Sequence, residues 1–117
     1  MTRYSMAYQK FLNLTQSVDD LVEFSHLTAD EKCLIKSLNN YWINKEKITV
    51  VSAMNLANMM STSTTFRLLK RLRQKGFITL EVDKADNRIK YVKPTEKIQS
   101  FFHQYGKILM KVANGEI

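Results

Sequence analysis

The feature that most constrains this chain is a change of period at Gly76. Before Gly76, apolar residues recur every three or four positions. After it, Phe77, Ile78, Thr79, Leu80, Glu81 and Val82 read as a strand, and Arg88, Ile89, Lys90, Tyr91, Val92 and Lys93 as its return partner. One face of a helix is lined at a period near 3.6 and one face of a strand at a period of 2, so no single element continues through Gly76. Asp83 to Asn87 is polar and turn-like, which makes the two runs a β-hairpin. Gly76 stands where a C-cap glycine belongs, because it adopts positive φ without steric cost. Pro94 ends the hairpin. Three glycines and one proline in 117 residues argue against a loop-rich or many-turned all-β fold. The class is α+β, mainly α.

The rest of the chain reads as helix. Residues 5–25 carry Tyr8, Phe11, Leu12, Thr15, Val18, Val22 and Ser25 at helical spacing. Thr28 stands three residues before Glu31, the capping-box arrangement, and opens a second helix whose apolar stripe is Leu34, Ile35, Leu38, Tyr41 and Trp42, ending near Asn44. Ile48, Thr49, Val50 and Val51 read as a short extended segment leading into a short helix over 52–59, with Ala53, Leu56, Ala57 and Met60 on its inner face. Ser61, Thr62 and Ser63 offer N-cap hydroxyls to a fourth helix that runs to about Gln74. A last helix over 95–114 starts at Thr95 and Glu96 and carries Ile98, Phe101, Phe102, Tyr105, Ile108, Leu109 and Val112. The whole reads as one domain, 1–117, with a core at 28–93 and terminal helices at 5–25 and 95–114.

Charge gives the first functional signal. The chain carries a net charge of +7, and residues 61–93 hold a net +6 of it through Arg67, Lys70, Arg71, Arg73, Lys75, Lys84, Arg88, Lys90 and Lys93 against Glu81, Asp83 and Asp86. Such a cluster is either a solvated face or a surface for polyanions. The wheel of the fourth helix favours the second. Thr65, Leu68, Leu69 and Leu72 fall on one side, while Ser63, Thr64, Arg67, Lys70, Arg71 and Gln74 fall opposite with no acid among them. A face that only meets water usually mixes signs to gain i,i+4 pairs, whereas phosphates relieve the self-repulsion of an acid-free face.

A short helix, a polar turn, a basic helix and a basic hairpin form a winged helix-turn-helix in outline. A recognition helix that enters the major groove by its N-terminal end presents Thr62, Ser63, Thr64 and Arg67 to base edges, and arginine pairs bidentately with guanine. Lys70, Arg71 and Gln74, farther along, are placed for phosphates, and Lys84 and Lys90 of the hairpin join the set. The expected partner is double-stranded DNA.

Thr28-x-x-Glu31-x-x-Leu34-Ile35-x-x-Leu38, then Ser61-x-Ser63-Thr64-x-x-Arg67-Leu68-x-x-Arg71-Leu72-x-x-x-Gly76, then Asp86-x-Arg88 and Thr95-Glu96-Lys97, resemble the second helix, recognition helix, wing and following helix of the MarR-type winged-helix transcription regulators. The resemblance covers residues 28–97, and its most specific part is Asp86-x-Arg88. It implies that Arg88 enters the minor groove and that Asp86 orients it. The sequence departs from the family at Phe66, where a small or polar residue is usual, at Pro94 and at Ile98. Its length is similar to that of the small staphylococcal accessory regulators.

The terminal helices carry more apolar surface than a small appendage needs. Tyr8, Phe11, Phe101, Phe102, Tyr105 and Leu109 form a candidate dimer interface, which the resemblance also implies, and a twofold dimer reads a palindromic site. The expected role is a homodimeric transcriptional regulator, a repressor more often than an activator. A plasmid or phage replication or partition factor, or a winged helix that meets an acidic protein, are the alternatives. A small-molecule effector is compatible with the role, and the sequence singles out no pocket for it.

Other functions lack support. Cys33, a lone cysteine, can form neither an intramolecular disulfide nor a cysteine-type zinc site; it falls on the polar side of its helix. His26 and His103 read as surface residues, and Met54, Met59 and Met60 as core filler. There is no Ser-His-Asp set, P-loop or GxGxxG, so neither catalysis nor a cofactor or metal is expected. No signal peptide or membrane span is legible, which makes the cytoplasm the expected compartment.

Overall fold

The computed structural model describes residues 2–56 and 60–115. Along the chain run α1 (Arg3–Asp19), α2 (Ala29–Ile43), α3 (Val50–Ala53), α4 (Thr62–Gln74), β1 (Ile78–Val82), β2 (Lys90–Pro94) and α5 (Glu96–Ala113). The chain divides into two compact units, one of Met1–His26 with Gln99–Ile117 and one of Leu27–Ile98. The first turn of α5 therefore belongs to the second unit. Among the described residues no helix is long and apolar enough to cross a membrane.

The unit over Leu27–Ile98 is a winged helix. Its core is Leu34, Ile35 and Leu38 of α2, Ile48, Ala53 of α3, Leu68, Leu69 and Leu72 of α4, Phe77, Ile78, Val92 and Ile98, all buried. The two strands are antiparallel, with Leu80 opposite Val92 and Val82 opposite Lys90. The Val92 N–H donates to the Ile48 carbonyl at 2.8 Å, and Thr49 forms a single bridge with Tyr91, so the chain before α3 lies along β2. Trp42 ties the end of α2 to the same strand by donating its indole N–H to the Val92 carbonyl at 3.1 Å.

The capping box forms as expected. The Glu31 N–H donates to Thr28 Oγ1 at 3.1 Å, and the Thr28 N–H donates to Glu31 Oε1 at 2.8 Å. The same carboxylate accepts Lys75 Nζ at 2.6 and 2.9 Å, although Glu31 is wholly buried. Lys75 is the C-cap of α4, and its carbonyl accepts Lys97 Nζ at 2.9 Å. Gly76 follows at φ +83°, a region costly for a side chain with a Cβ. The Thr95 hydroxyl closes the turn by donating to the carbonyls of Gly76 and Phe77.

Several boundaries differ from the sequence expectation, and β2 takes in Pro94, paired with Ile78. Val50 and Val51 are helical rather than extended, because the Thr49 hydroxyl accepts the Ser52 N–H and starts α3 there. α3 ends at Ala53, while Ala57 and Met59, expected on the same short helix, lie outside the described residues. The return strand begins at Lys90 rather than Arg88, because Arg88 is held in the turn by Asp86.

In the other unit α1 stops at Asp19 instead of running to residue 25. The Leu21 N–H bonds the carbonyl three residues back, at Val18, which tightens the ladder into turns. The stripe expected to continue through Val22 ends there: Val22 is 81% exposed, and Phe24 is buried in its place. Phe24 meets Phe101 edge to face with centroids 5.2 Å apart, and Phe101 packs against Tyr105 with the rings tilted by 55° and centroids 4.8 Å apart. The Tyr105 hydroxyl donates to the Asp19 carboxylate; burial first, and then that anion, push the phenol well above its ordinary range.

Burial by itself pushes the Glu31 carboxyl up, but the bonds from Lys75 and Thr28 outweigh it and leave the group below the ordinary glutamate value of 4.5. Its stabilisation is therefore complete above that value and is lost as acid takes the pH through the lower folded value. Glu31→Gln should cost about 3 kcal/mol near neutral pH, the low end for breaking a buried pair, because Lys75 keeps 29% of its side-chain surface in water. In urea unfolding, the gap between the two proteins should close as the pH drops below 4.5. A gap that persists in acid would refute the assignment.

Candidate nucleic-acid interface

The residues expected to meet DNA all lie in the unit over Leu27–Ile98. On α4 the apolar side is turned inward as the wheel requires, with Thr65, Leu68, Leu69 and Leu72 buried. Thr65 satisfies its hydroxyl by donating to the Ser61 carbonyl at 3.0 Å. Thr62, Ser63, Arg67, Lys70, Arg71 and Gln74 are exposed on the outer side. Ser61 caps the helix by accepting the Thr64 N–H at 3.1 Å and donates to Thr64 Oγ1 at 2.9 Å. Thr64 is half-buried, and its hydroxyl is part of that cap. α4 has no acid in its first turn and ends on Arg71 and Arg73, the cations that suit a helix C-terminus.

Two aspartates shape the hairpin tip. Asp83 accepts the backbone N–H groups of Ala85 and Asp86, both at 3.0 Å, and the Tyr91 hydroxyl at 2.9 Å. The Tyr91 bond is the main reason that the Asp83 carboxyl lies below its ordinary value, with the two backbone donors next. Asp86 takes Arg88 in a fork: Nε on Oδ1 and Nη2 on Oδ2, both at 3.1 Å, with the Arg88 N–H on Oδ1 at 3.0 Å. The Arg88 side chain is nonetheless 90% exposed, so the fork aims the guanidinium without covering it. Lys84 stands exposed at the tip and Lys90 at the start of β2.

A recess of about 570 Å³ lies between α3, α4 and the wing. It brings together Lys70, Arg88 and Lys90 with Arg73, which sequence reasoning counted in the charge cluster but did not place in the site. Its apolar lining includes Val51, Phe66 and Ile89, and Lys70 Nζ sits 5.7 Å from the Phe66 ring centroid. Thr62, Ser63, Arg67, Arg71 and Gln74 are not part of the recess. Asp83 was also missed; its position between two alternating runs was the signal that could have found it. Among the described residues no group of three or more His, Cys, Asp or Glu could hold a metal ion. Cys33 is exposed.

The candidate interface residues of the terminal helices are unevenly placed. Phe101 is buried within its own chain, Phe11, Phe102 and Tyr105 are half-buried, and Tyr8 and Leu109 stay 55% and 59% exposed. Tyr8, Phe11, Leu12 and Leu109 line one apolar groove of that unit.

Neither a protein-family model nor a curated protein matches the sequence. Solved structures do match. The S. aureus MepR F27L mutant bound to an oligodeoxyribonucleotide is similar at a TM-score of 0.65 and 20% identity, over 98% of this chain and 82% of that one. The heme sensor protein PefR from Streptococcus agalactiae, in complex with heme, is similar at a TM-score of 0.60 and 20% identity, over 99% and 80%. BpsR of Bordetella bronchiseptica, whose DNA binding is regulated by 6-hydroxynicotinic acid, is similar at a TM-score of 0.56 and 17% identity, over 96% and 79%. The fold of this chain is the winged-helix fold of these MarR-type regulators.

The Asp86 carboxyl lies below the ordinary aspartate value of 3.8, chiefly because Arg88 donates to it through its side chain. The fork should therefore survive until the pH falls under that value. In an NMR titration the Arg88 Nε–H should stay at a bonded shift down to that point. Asp86→Ala should bring it to the free-guanidinium position at any pH, without moving the melting temperature. An Arg88 signal indifferent to both changes would rule out the fork in solution.

Proposed function

We propose that this chain is a MarR-type transcriptional regulator that binds duplex DNA as a homodimer, with α4 in the major groove and the wing in the minor groove. One observation carries the reading. The outer side of α4 is acid-free and, apart from Phe66 and Gln74, carries hydroxyls and cations, and the same unit holds an exposed guanidinium aimed by a carboxylate at the tip of a hairpin. Arg67 is the residue for a guanine edge, with Thr62, Ser63 and Thr64 near the helix start. Lys70, Arg71, Gln74, Lys84 and Lys90 hold phosphates, which position the protein without reading sequence. Arg88 enters a narrow A·T-rich minor groove, where the negative potential is greatest, and Asp86 orients it.

The Tyr8 and Leu109 edge of the terminal helices supports a dimer, since exposed aromatic and leucine side chains beside an apolar groove gain by being covered. A twofold dimer of this kind reads a palindromic site, and occupying such a site represses transcription by excluding polymerase.

The test is a salt titration of binding to a duplex enriched from random-sequence DNA by the full chain. Log affinity should fall linearly with log salt, by about 0.9 per phosphate neutralised. Lys70→Ala should reduce that slope by about 1 on any sequence, while Arg67→Ala should cost about 1–3 kcal/mol on the enriched duplex and little on a scrambled one. Binding that ignores salt would overturn the reading.

The dimer has a separate check. The full chain should run as a dimer in light scattering at micromolar concentration. Leu109→Glu should give a monomer with unchanged helical circular dichroism, since Leu109 is 59% exposed. A monomeric wild-type chain would refute this part.

A further inference from the structure

The outer side of α4 carries one large apolar side chain among the described residues. Phe66 lies in the second turn after the Ser61 cap and leaves 43% of its surface open. It is not needed to close the core, which α4 reaches through Thr65, Leu68, Leu69 and Leu72. Val51 of α3, 71% exposed, lines the same recess, and so do Lys70 and Arg73. The Lys70 ammonium sits over the ring at 5.7 Å, a distance at which cation and π-face attract. That contact occupies part of the ring and keeps the cation beside it.

Phosphates can cover Lys70 and Arg73, but an aromatic ring gains nothing from a phosphate. The apolar group that the major groove offers is the 5-methyl of thymine, and phenylalanine is among the side chains that contact it. Building on the DNA-binding reading above, we infer that Phe66, with Val51 in the same recess, reads thymine through its 5-methyl group while Lys70 and Arg73 hold the flanking backbone. This adds a specificity element that forms no hydrogen bond. It discriminates thymine from cytosine, which has hydrogen at that carbon.

Deoxyuridine keeps every hydrogen-bonding group of thymine and lacks only the methyl, so it isolates this contact. The probe is the duplex enriched by the full chain, resynthesised with deoxyuridine at each thymine in turn. Replacing a contacted thymine should weaken binding by about fourfold, the worth of one methyl group removed from water. Phe66→Ala should bind the thymine duplex more weakly and should lose the thymine preference at that position. Phe66→Leu should retain part of it. Ring exposure makes both variants compatible with folding, which thermal unfolding checks. A full chain that binds thymine and deoxyuridine duplexes equally overturns the inference. So does a Phe66→Ala variant that keeps the full preference, which would assign the methyl to Thr62 or Thr64 instead. If no duplex is enriched at all, the DNA-binding reading itself fails, an outcome distinct from both.

Discussion

The winged-helix unit depends on one buried carboxylate. Glu31 has no exposure, so its charge must be compensated inside the fold, and two groups do this: the Thr28 backbone N–H of the capping box and the Lys75 ammonium. The bonds join the start of α2 to the end of α4. Lys75 then passes the constraint on, because its carbonyl holds Lys97 and its neighbour Gly76 turns the chain toward β1. The angle at which α4 hands over to the wing is therefore tied to the core at a single point. Removing the Lys75 ammonium leaves a buried carboxylate without its charged partner, which costs more than the pair gains.

That tie lets an exposed helix and an exposed hairpin act together. α4 has its inner side committed to Leu68, Leu69 and Leu72, so its outer side has no rotational freedom. The hairpin tip is held by carboxylates rather than by packing. Asp83 gathers two backbone N–H groups and a tyrosine hydroxyl, and Asp86 fixes the Arg88 guanidinium in the open. Preorganised cations lose less conformational entropy on binding than free ones. Phe66 and Val51 add an apolar element between the helix and the wing, a surface suited to more than phosphate.

The terminal helices follow a different logic. Phe24, Phe101 and Tyr105 satisfy one another within the unit, and Asp19 meets the tyrosine hydroxyl. A stripe that looked uniform at helical spacing is thereby split. Its inner members serve the chain's own packing, and Tyr8 and Leu109 remain open.

Much of the fold was legible because it rests on patterns and bonds within a few residues along the chain. The capping box at Thr28 and Glu31, the Ser61 cap, the buried side of α4, the glycine after it and the alternation of the hairpin are all of that kind, and so is the Asp86–Arg88 fork across two residues. The sequence by itself therefore determined the order and type of most elements and the outer face of α4. Only the tertiary structure decided where α1 stops, that Glu31 pairs with Lys75 across 44 positions, and that Asp83 takes Tyr91. It alone brought Arg73, Phe66 and Val51 to one recess with Arg88 and Lys90. The reason is physical: periodicity records which side of an element is apolar, but the partner that side meets depends on packing between elements, and no local spacing encodes it.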